Sequence, residues 1–470
     1  MPGAVVNKND GLAELSGNYN KKLTMTIVIF SALGGMMYGY DIGVISGALL
    51  FLDQTIKLST FQMGMVVGAV LWGGAIATFV AGPLGDVWGR RKIIIIGQVF
   101  FIVGVVITVV CTDYPTLLAG RLIQGVGIGV VAMLVPLYIT ETAPACVRGR
   151  AVTMFQLFLV LGISIAAIVD LLFVPSGNWR AMFGMVLIPG VVFFIGMFFL
   201  PESPAWYFLK NKLEKSKKVL LKIYDNADAE AILSQMKTLK DERAAGIAEG
   251  KTAKKETIFK KAYMIPFCIA LFIAIIQQFT GVNIILQFAP VIFKNAGIAS
   301  DSMDMLATTG VTIINVIFTI VGVCLVDKLG RKFLLSLGTA GVVVGMALCA
   351  ISYSCGSMQI IVLGIGLVIF MAFYAIGPGI VVWLAMSELL PLRIRGTGMA
   401  ICLGCNSIAS AFLATVYLNW TEVIGFSGVF WVLAICAVAY FLCARFVMPE
   451  TKGKTLEEIE EYFRGSNKKA

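Results

Sequence analysis

The chain has 470 residues, of which 59% are hydrophobic and only 14% charged, with a mean hydropathy of +0.90, a formal charge of +10 and no histidine. Soluble globular chains average roughly 45–50% apolar and about 25% charged residues, so this excess excludes a water-soluble fold and points to a polytopic membrane protein. The missing histidine excludes histidine-ligated zinc or haem and leaves any proton chemistry to carboxylates.

After a polar leader at 1–23, apolar stretches of the roughly 20 residues that a bilayer crossing needs recur at 24–52, 61–83, 93–112, 115–139, 152–173 and 181–200. The first of these is too long, and lacks the small-residue cleavage site, for a removable signal peptide. A polar stretch at 201–262 follows, with 14 Lys and Arg and 9 Asp and Glu; its pattern over Glu214–Tyr224 and Ala229–Arg243 predicts short amphipathic helices. A second set of spans lies at 263–293, 303–326, 332–353, 358–387, 398–420 and 426–447, before a tail at 448–470. The expected fold is therefore all-α, with twelve transmembrane helices in two halves, 24–200 and 263–447, joined by a helical linker.

Placing the charges explains the basic balance. Thirty-three Lys and Arg fall in the leader, the even-to-odd loops and the tail, against Lys57, Arg180 and Lys294 on the other face and Arg121 within a span. Positive charge collects on the cytoplasmic side, so both termini are expected there, and no nucleic acid is needed to account for +10. Most of the ten cysteines, such as Cys268, Cys324, Cys349, Cys436 and Cys443, sit in apolar runs. Cys402 and Cys405 read as small residues on one helical turn, so no disulfide, metal or cofactor is expected.

Three patterns recur in order at nearly constant offset. Asp-x-x-Gly-Arg occurs at Asp86–Arg90 and Asp327–Arg331; Glu-x-x-Pro-x-x-x-Arg-Gly places Glu141 and Arg148 against Glu388 and Arg395; Pro-Glu closes each half at Glu202 and Glu450. The chain is thus an internal duplication. The repeated charges at helix ends suit a cytoplasmic latch weak enough to break, the alternative being ordinary solvated loop charge. Two parallel halves rocking about a midplane site is the architecture of an alternating-access carrier.

These patterns, together with Gly39-Tyr-Asp41, Arg121-Leu-Ile-Gln-Gly125, Gln277-Gln-Phe-Thr-Gly-Val-Asn283 and Gly377-Pro-Gly379 with Trp383, resemble the signatures of the sugar porter family of the major facilitator superfamily over residues 24–463. The resemblance implies a carrier for a monosaccharide or cyclic polyol (hexose, pentose or myo-inositol) in the cell membrane. It works either as a proton symporter or as a facilitative uniporter, and is expected to be a monomer. It also implies Gln156, Gln277, Gln278, Asn283, Asn315, Trp383 and Asn406 as substrate ligands.

Few ionisable residues lie well inside a span, and the pair that stands out is Asp41 and Arg121, both in the outer half of their helices. An isolated charge at mid-bilayer costs ~2.5–3.5 kcal/mol on insertion scales, so the pair is a functional candidate, with a purely structural ion pair as the alternative. A carboxylate with an ordinary pKa near ~3.9 seldom holds a proton at neutral pH, so proton cycling on Asp41 requires Arg121 to move. In symporters that the sequence resembles the matching aspartate has this role, whereas passive relatives commonly carry a neutral residue. Asp170 competes, but its place near the outer end of the fifth span predicts headgroup level.

A sugar presents hydroxyls that both donate and accept, plus one apolar face, so its site calls for neutral amides and an aromatic plate. Helical spacing puts Gln277, Thr280, Asn283 and Gln287 on one face, with Gln278 off it unless Gly281 loosens the helix; amides gluing helices together is the alternative. Trp383 is expected to cap the sugar's apolar face, and Gly377, Pro378 and Gly379 to bend the tenth helix as a gate. Tyr38, Gln287 and Ser407 stand where the resembling carriers commonly have Phe, Tyr and Trp, Ile380 and Val382 where many have proline, and Ala375 where some have Glu. These departures favour a roomier, more polar pocket, and with it a cyclic polyol or unusual hexose. No nucleophile, metal-ligand or phosphate-loop constellation appears, so an enzyme is not expected; Gly125–Gly129 reads as close helix packing. A transporter-like sensor is disfavoured by the short tail.

Overall fold

The computed structural model describes residues 19–248, 261–298, 300–391, 395–452, 454, 458–459 and 462–463. The first half contains α1 (Lys21–Thr55), α2 (Thr60–Trp88), α3 (Arg90–Val110), α4 (Tyr114–Thr142), α5 (Ala145–Phe173) and a sixth crossing in two pieces, α6 (Trp179–Gly184) and α7 (Leu187–Phe199). Side-chain caps start several of them. Asn20, Ser59 and Asp113 accept from the amides of Leu23, Gln62 and Thr116, satisfying donors that a helix start leaves free. Helices then pack at glycine: a Cβ on Gly125 or Gly129 would run into the α2 backbone at Val70 or Gly74, and one on Gly127 into Gly97 of α3. The predicted close packing along this run is therefore present.

The linker forms α8 (Pro204–Leu209), α9 (Leu213–Ile223) and α10 (Asn226–Ala248), with Val219, Leu220 and Ile223 of α9 turned inward, so the amphipathic reading holds for α9, while α10 is longer than the short helix expected there. Lys217 Nζ lies 2.9 Å from Glu230 Oε1 across α9 and α10, and this hydrogen bond holds the exposed Glu230 carboxyl below its ordinary value. The Asn20 amide donates to the Ile223 carbonyl at 2.8 Å, tying the start of α1 to the linker.

The second half comprises a seventh crossing split into α11 (Lys261–Gln278) and α12 (Val282–Asn295), then α13 (Asp301–Leu329), α14 (Arg331–Ser352), a tenth crossing split into α15 (Gln359–Ile376) and α16 (Pro378–Leu389), and α17 (Arg395–Leu442). The two final spans predicted at 398–420 and 426–447 are joined as one stretch, Gly398–Val447, of 50 residues. That is more than twice one crossing's length, and it turns at Gly425, whose φ of 72° and ψ of 165° only glycine adopts easily. With that turn, the eleven apolar stretches of the described residues make twelve crossings. Large apolar side chains such as Leu172, Phe199, Val423 and Ile435 point outward, a surface suited to lipid rather than water.

The halves meet unevenly. One continuous buried cluster joins Ile45, Leu49 and Leu52 of α1 to Ile285, Phe288 and Ile292 of α12 on the side away from the termini. On the side of the termini a separate cluster, with Ile269, Leu334, Val382, Met386 and Tyr440, belongs to the second half. The cross-half hydrogen bonds Ser164 Oγ to the Thr312 carbonyl (3.0 Å), Thr309 Oγ1 to the Ala167 carbonyl (3.3 Å) and Thr60 Oγ1 to Glu422 Oε1 (2.6 Å) also lie away from the termini. The two halves are thus packed together on the side away from the termini.

Candidate functional site

Asp41 on α1 and Arg121 on α4 are each only 1% exposed, and Arg121 Nη1 donates to Asp41 Oδ1 at 3.1 Å. Gln124, one turn along α4 from Arg121, completes a triangle. Its Nε2 donates to Asp41 Oδ1 and its Oε1 accepts from Arg121 Nη1 at 3.2 Å. The guanidinium also lies over the Phe183 ring, 5.0 Å from its centroid, a cation–π contact that partly replaces lost hydration. Among the described residues, Asp41 Oδ2 and Arg121 Nε have no hydrogen-bond partner. Neither Gln124 nor Phe183 is among the sequence-predicted site residues, although the (i, i+3) spacing of Arg121 and Gln124 is a signal that finds the glutamine.

The seventh crossing breaks between Gln278 and Val282, with Gly281 at φ 89°. That break removes the continuous helical face on which Gln278 stands apart and draws it into a network. Gln278 Nε2 donates to Asn406 Oδ1 (3.1 Å), Asn283 Nδ2 to Gln278 Oε1 (2.9 Å) and Ser410 Oγ (2.6 Å), and Asn406 Nδ2 to Gln277 Oε1 (2.8 Å). Gln277 Nε2 reaches Tyr374 Oη at 3.0 Å and the Pro378 carbonyl at 3.4 Å. Tyr374 and Ser410 are additional members, visible in the sequence only as polar groups within apolar helices.

Gln277, Gln278, Asn283 and Asn406 are thus brought together, beside the tenth crossing's break at Gly377, which caps α16 just ahead of Pro378. Gly379 follows on the first turn. Gln156, Tyr38 and Trp383 are half-buried and Asn315 is buried, its Oδ1 accepting from Thr319 at 3.5 Å; these four lie outside the network. Gln287 does too, with its Oε1 buried and unpartnered among the described residues. Amides that satisfy one another at the breaks of two helices can exchange those bonds for hydroxyls at little cost.

At the ends facing the termini, two matching clamps appear. In the first half Arg90 pairs with Glu141 (Nε to Oε2, 3.1 Å) and Asp86 (2.7 Å), while Ser203 Oγ donates to Glu141 and Glu202 Oε1 accepts from the Arg91 amide at 3.0 Å. In the second half Arg331 pairs with Glu388 at 3.1 Å, Thr451 Oγ1 donates to Glu388 Oε2 at 2.6 Å, and Glu450 accepts from the amides of Arg331 (3.0 Å) and Lys332 (3.1 Å). Glu202 and Glu450 therefore cap α3 and α14 from a distance, placing a carboxylate on each positive helix end. Each of these clamps lies within its own half. Arg148 carries a buried Nε without a partner among the described residues, and the side chains of Asp327 and Arg395 lie outside those residues.

The sequence profile of the sugar (and other) transporter family matches residues 27–463. The chain belongs to that family. Among related sugar transporters, the galactose-proton symporter of Escherichia coli K12 is 32% identical over 453 residues, covering 95% of this chain and 96% of its own. The arabinose-proton symporter of Bacillus subtilis is 33% identical over 447 residues, covering 92% and 93%. The inward-open xylose transporter XylE of E. coli superposes with a TM-score of 0.80 at 28% identity, covering 93% of this chain and 99% of that one. The family is one of multi-pass membrane carriers, not enzymes. Asp170, expected at headgroup level, is fully buried between α5 and α1, where its Oδ2 accepts from the Gly47 amide at 3.1 Å.

Proposed function

We propose that this sugar transporter takes up a monosaccharide or cyclic polyol by proton symport, with Asp41 as the proton carrier and the Gln277, Gln278, Asn283 and Asn406 network as the sugar site. The buried Asp41 and Arg121 pair carries the reading. A charge pair of this burial is expensive to build unless its separation does work, since removing two ions from water costs several kcal/mol each before their attraction repays it. The galactose-proton and arabinose-proton symporters among its relatives support the pairing of a sugar with a proton.

The cycle has two ends. With the outer side open, Arg121 withdraws and Asp41 takes a proton; as the halves rock, the pair re-forms, the proton leaves to the inner side, and sugar exchanges its hydrogen bonds for those the amides make with one another. The paired Asp41 and Arg121 in a conformation sealed on the far side fits the second end. One proton moving down 100 mV supplies ~2.3 kcal/mol, sufficient for about 50-fold accumulation at one-to-one stoichiometry. The basic excess on the side of the termini supports a cytoplasmic location for both, and we take the working unit as a monomer. Tyr38, Gln287 and Ser407 support the polyol or unusual hexose preference. The clamps built on Asp86, Arg90, Glu141, Glu202, Arg331, Glu388 and Glu450 serve as the mechanical parts that each half must keep rigid while it rocks, with Arg148, Asp327 and Arg395 placed beside them in sequence.

Uptake of labelled pentoses, hexoses and inositols into proteoliposomes, with and without a proton gradient, tests this directly. Asp41→Asn is expected to abolish accumulation while sparing exchange of labelled sugar. Continued accumulation by that variant sinks the assignment, and gradient-independent equilibration by the wild type favours the facilitative uniporter.

A further inference from the structure

Asp170 is a second intramembrane carboxylate with a different environment. It is 0% exposed and, among the described residues, it receives one hydrogen bond, from the Gly47 amide, while its Oδ1 has no partner. Its position follows from the packing of α1 on α5. Gly35, Gly39, Gly43 and Gly47 recur every four residues on α1, and a Cβ on any of them would strike α5, at Phe155, Leu159, Ile163 and Asp170 in turn. At Gly47 that close approach is what lets a carboxyl on α5 reach a backbone amide of α1.

The neighbouring charges do not compensate it. On α4, Arg121 is committed to Asp41 and Gln124. On α6, Arg180 donates to the Cys111 carbonyl at 2.8 Å and stacks on Trp179. On α13 the titratable groups of the first turn are Asp301, ion-paired with Lys294, and Asp304, whose carboxylate oxygens are themselves buried and unpartnered. On α1, Tyr40 donates its hydroxyl to the Met182 carbonyl at 2.9 Å, and Tyr38 and Asp41 complete the titratable groups of that helix nearby. An ionised Asp170 in this setting is a buried charge with one hydrogen bond and, among the described residues, no counter-ion, a costly arrangement while the seam stays dry. The seam is also a moving part. Ala167, three residues before Asp170, accepts from Thr309 of the opposite half at 3.3 Å, and rocking that parts the outer ends must break this contact.

We propose that Asp170 is a second proton-binding carboxylate of the transport cycle, exchanging a proton with the outer solution when the outer ends of the halves part and passing it inward toward Asp41. Its acid O–H gives the proton to a water of the opened seam and is reprotonated from outside, so the exchange needs no other reactant. Gly47 lies six residues outward from Asp41 on α1, about 9 Å along the axis at ~1.5 Å per residue, a span that a short water chain covers. The proposal rests on the proton-symport reading and adds a residue upstream of its carrier.

The test uses the full chain in proteoliposomes, the labelled sugar that the wild type accumulates best, and outside pH as the probe. Asp170→Asn keeps an oxygen able to accept from Gly47, so a packing role survives the change. A proton-loading role predicts that gradient-driven uptake falls at least about tenfold and loses its dependence on outside pH, while exchange of labelled sugar stays within about twofold. An asparagine variant with wild-type uptake and pH profile overturns the proposal and leaves proton symport standing. Wild-type uptake that ignores outside pH overturns both. Should Asp170→Asn fail to reach the membrane, Asp170→Glu decides: a displaced pH profile supports the role and an unmoved one rejects it.

Discussion

The two halves of the molecule share their clamps and differ at their centres. Arg90 with Glu141 is matched by Arg331 with Glu388, and Glu202 on the Arg91 amide is matched by Glu450 on the Lys332 amide. At mid-membrane the likeness ends. In the first half α1 and α4 run unbroken and carry a charge pair; in the second half the corresponding crossings are each cut in two, at Gly281 and Gly377, and carry neutral amides. Unbroken helices satisfy their own backbone and suit a site that must hold ions apart from water, whereas broken ones free backbone groups and side chains to meet a ligand. On the proposed reading, the duplication kept the clamps in both copies and divided the proton and sugar chemistry between the middles.

This division predicts that damage in the first half breaks coupling and damage in the second half breaks sugar binding. The largest effect is expected from Arg121→Leu, which strands Asp41 as a buried charge. Breaking a buried pair by removing one partner costs ~3–5 kcal/mol, a penalty that appears either as poor membrane insertion or as the loss of gradient-driven uptake by about 100-fold or more. The double substitution Asp41→Asn with Arg121→Leu removes both charges and should recover insertion, measured by fluorescence size-exclusion, without recovering accumulation. Accumulation by the double variant would show that the division of labour is wrong.

Gln277→Ala in the second half should be milder and different in kind. It removes bonds to Tyr374 and Asn406 and leaves buried partners unsatisfied, at ~1–3 kcal/mol, or a rise in apparent KM of about 5- to 150-fold. The ratio of protons to sugar, read from paired pH and isotope fluxes, should not change. A Gln277→Ala carrier with normal KM but altered stoichiometry would reverse the assignment of the two halves.

How much of this was legible in the sequence depended on whether a feature is local. Span positions, the bend before Pro378 and the loosening at Gly281 all follow from apolar run length and from glycine and proline, which act on their own backbone. Asp41 and Arg121 were legible because charges inside spans are rare. What was lost needed the rotation of one helix against another. Asp170, near a helix end, reads as interfacial; only the turn of α5 toward the glycines of α1 buries it. Gln278 moved into the amide network because the helix breaks beside it, and Gln287, a turn further along α12 than the networked Asn283, was left outside. Glu202 and Glu450 read as parts of a charge latch, yet both accept from backbone amides at helix starts far along the chain.

The smallest effect expected is also the one that most sharply tests the shared ends. Gly89 and Gly330 precede α3 and α14 with φ of 111° and 89°, and a Cβ on either would press on the carboxylate that caps the next helix, 2.3 Å from Glu202 Oε2 in one copy and 2.7 Å from Glu450 Oε2 in the other. Alanine at each position meets the same two penalties, a backbone conformation that costs ~1–3 kcal/mol for a side-chain-bearing residue and displacement of the capping carboxylate. If the copies are mechanically equivalent, Gly89→Ala and Gly330→Ala should lower the thermal midpoint by similar amounts, and each should slow transport only a few-fold with KM and coupling unchanged. Unequal effects, with one substitution abolishing uptake and the other silent, would mean that only one clamp bears on the rocking motion and that the ends of the two halves have diverged as their centres have.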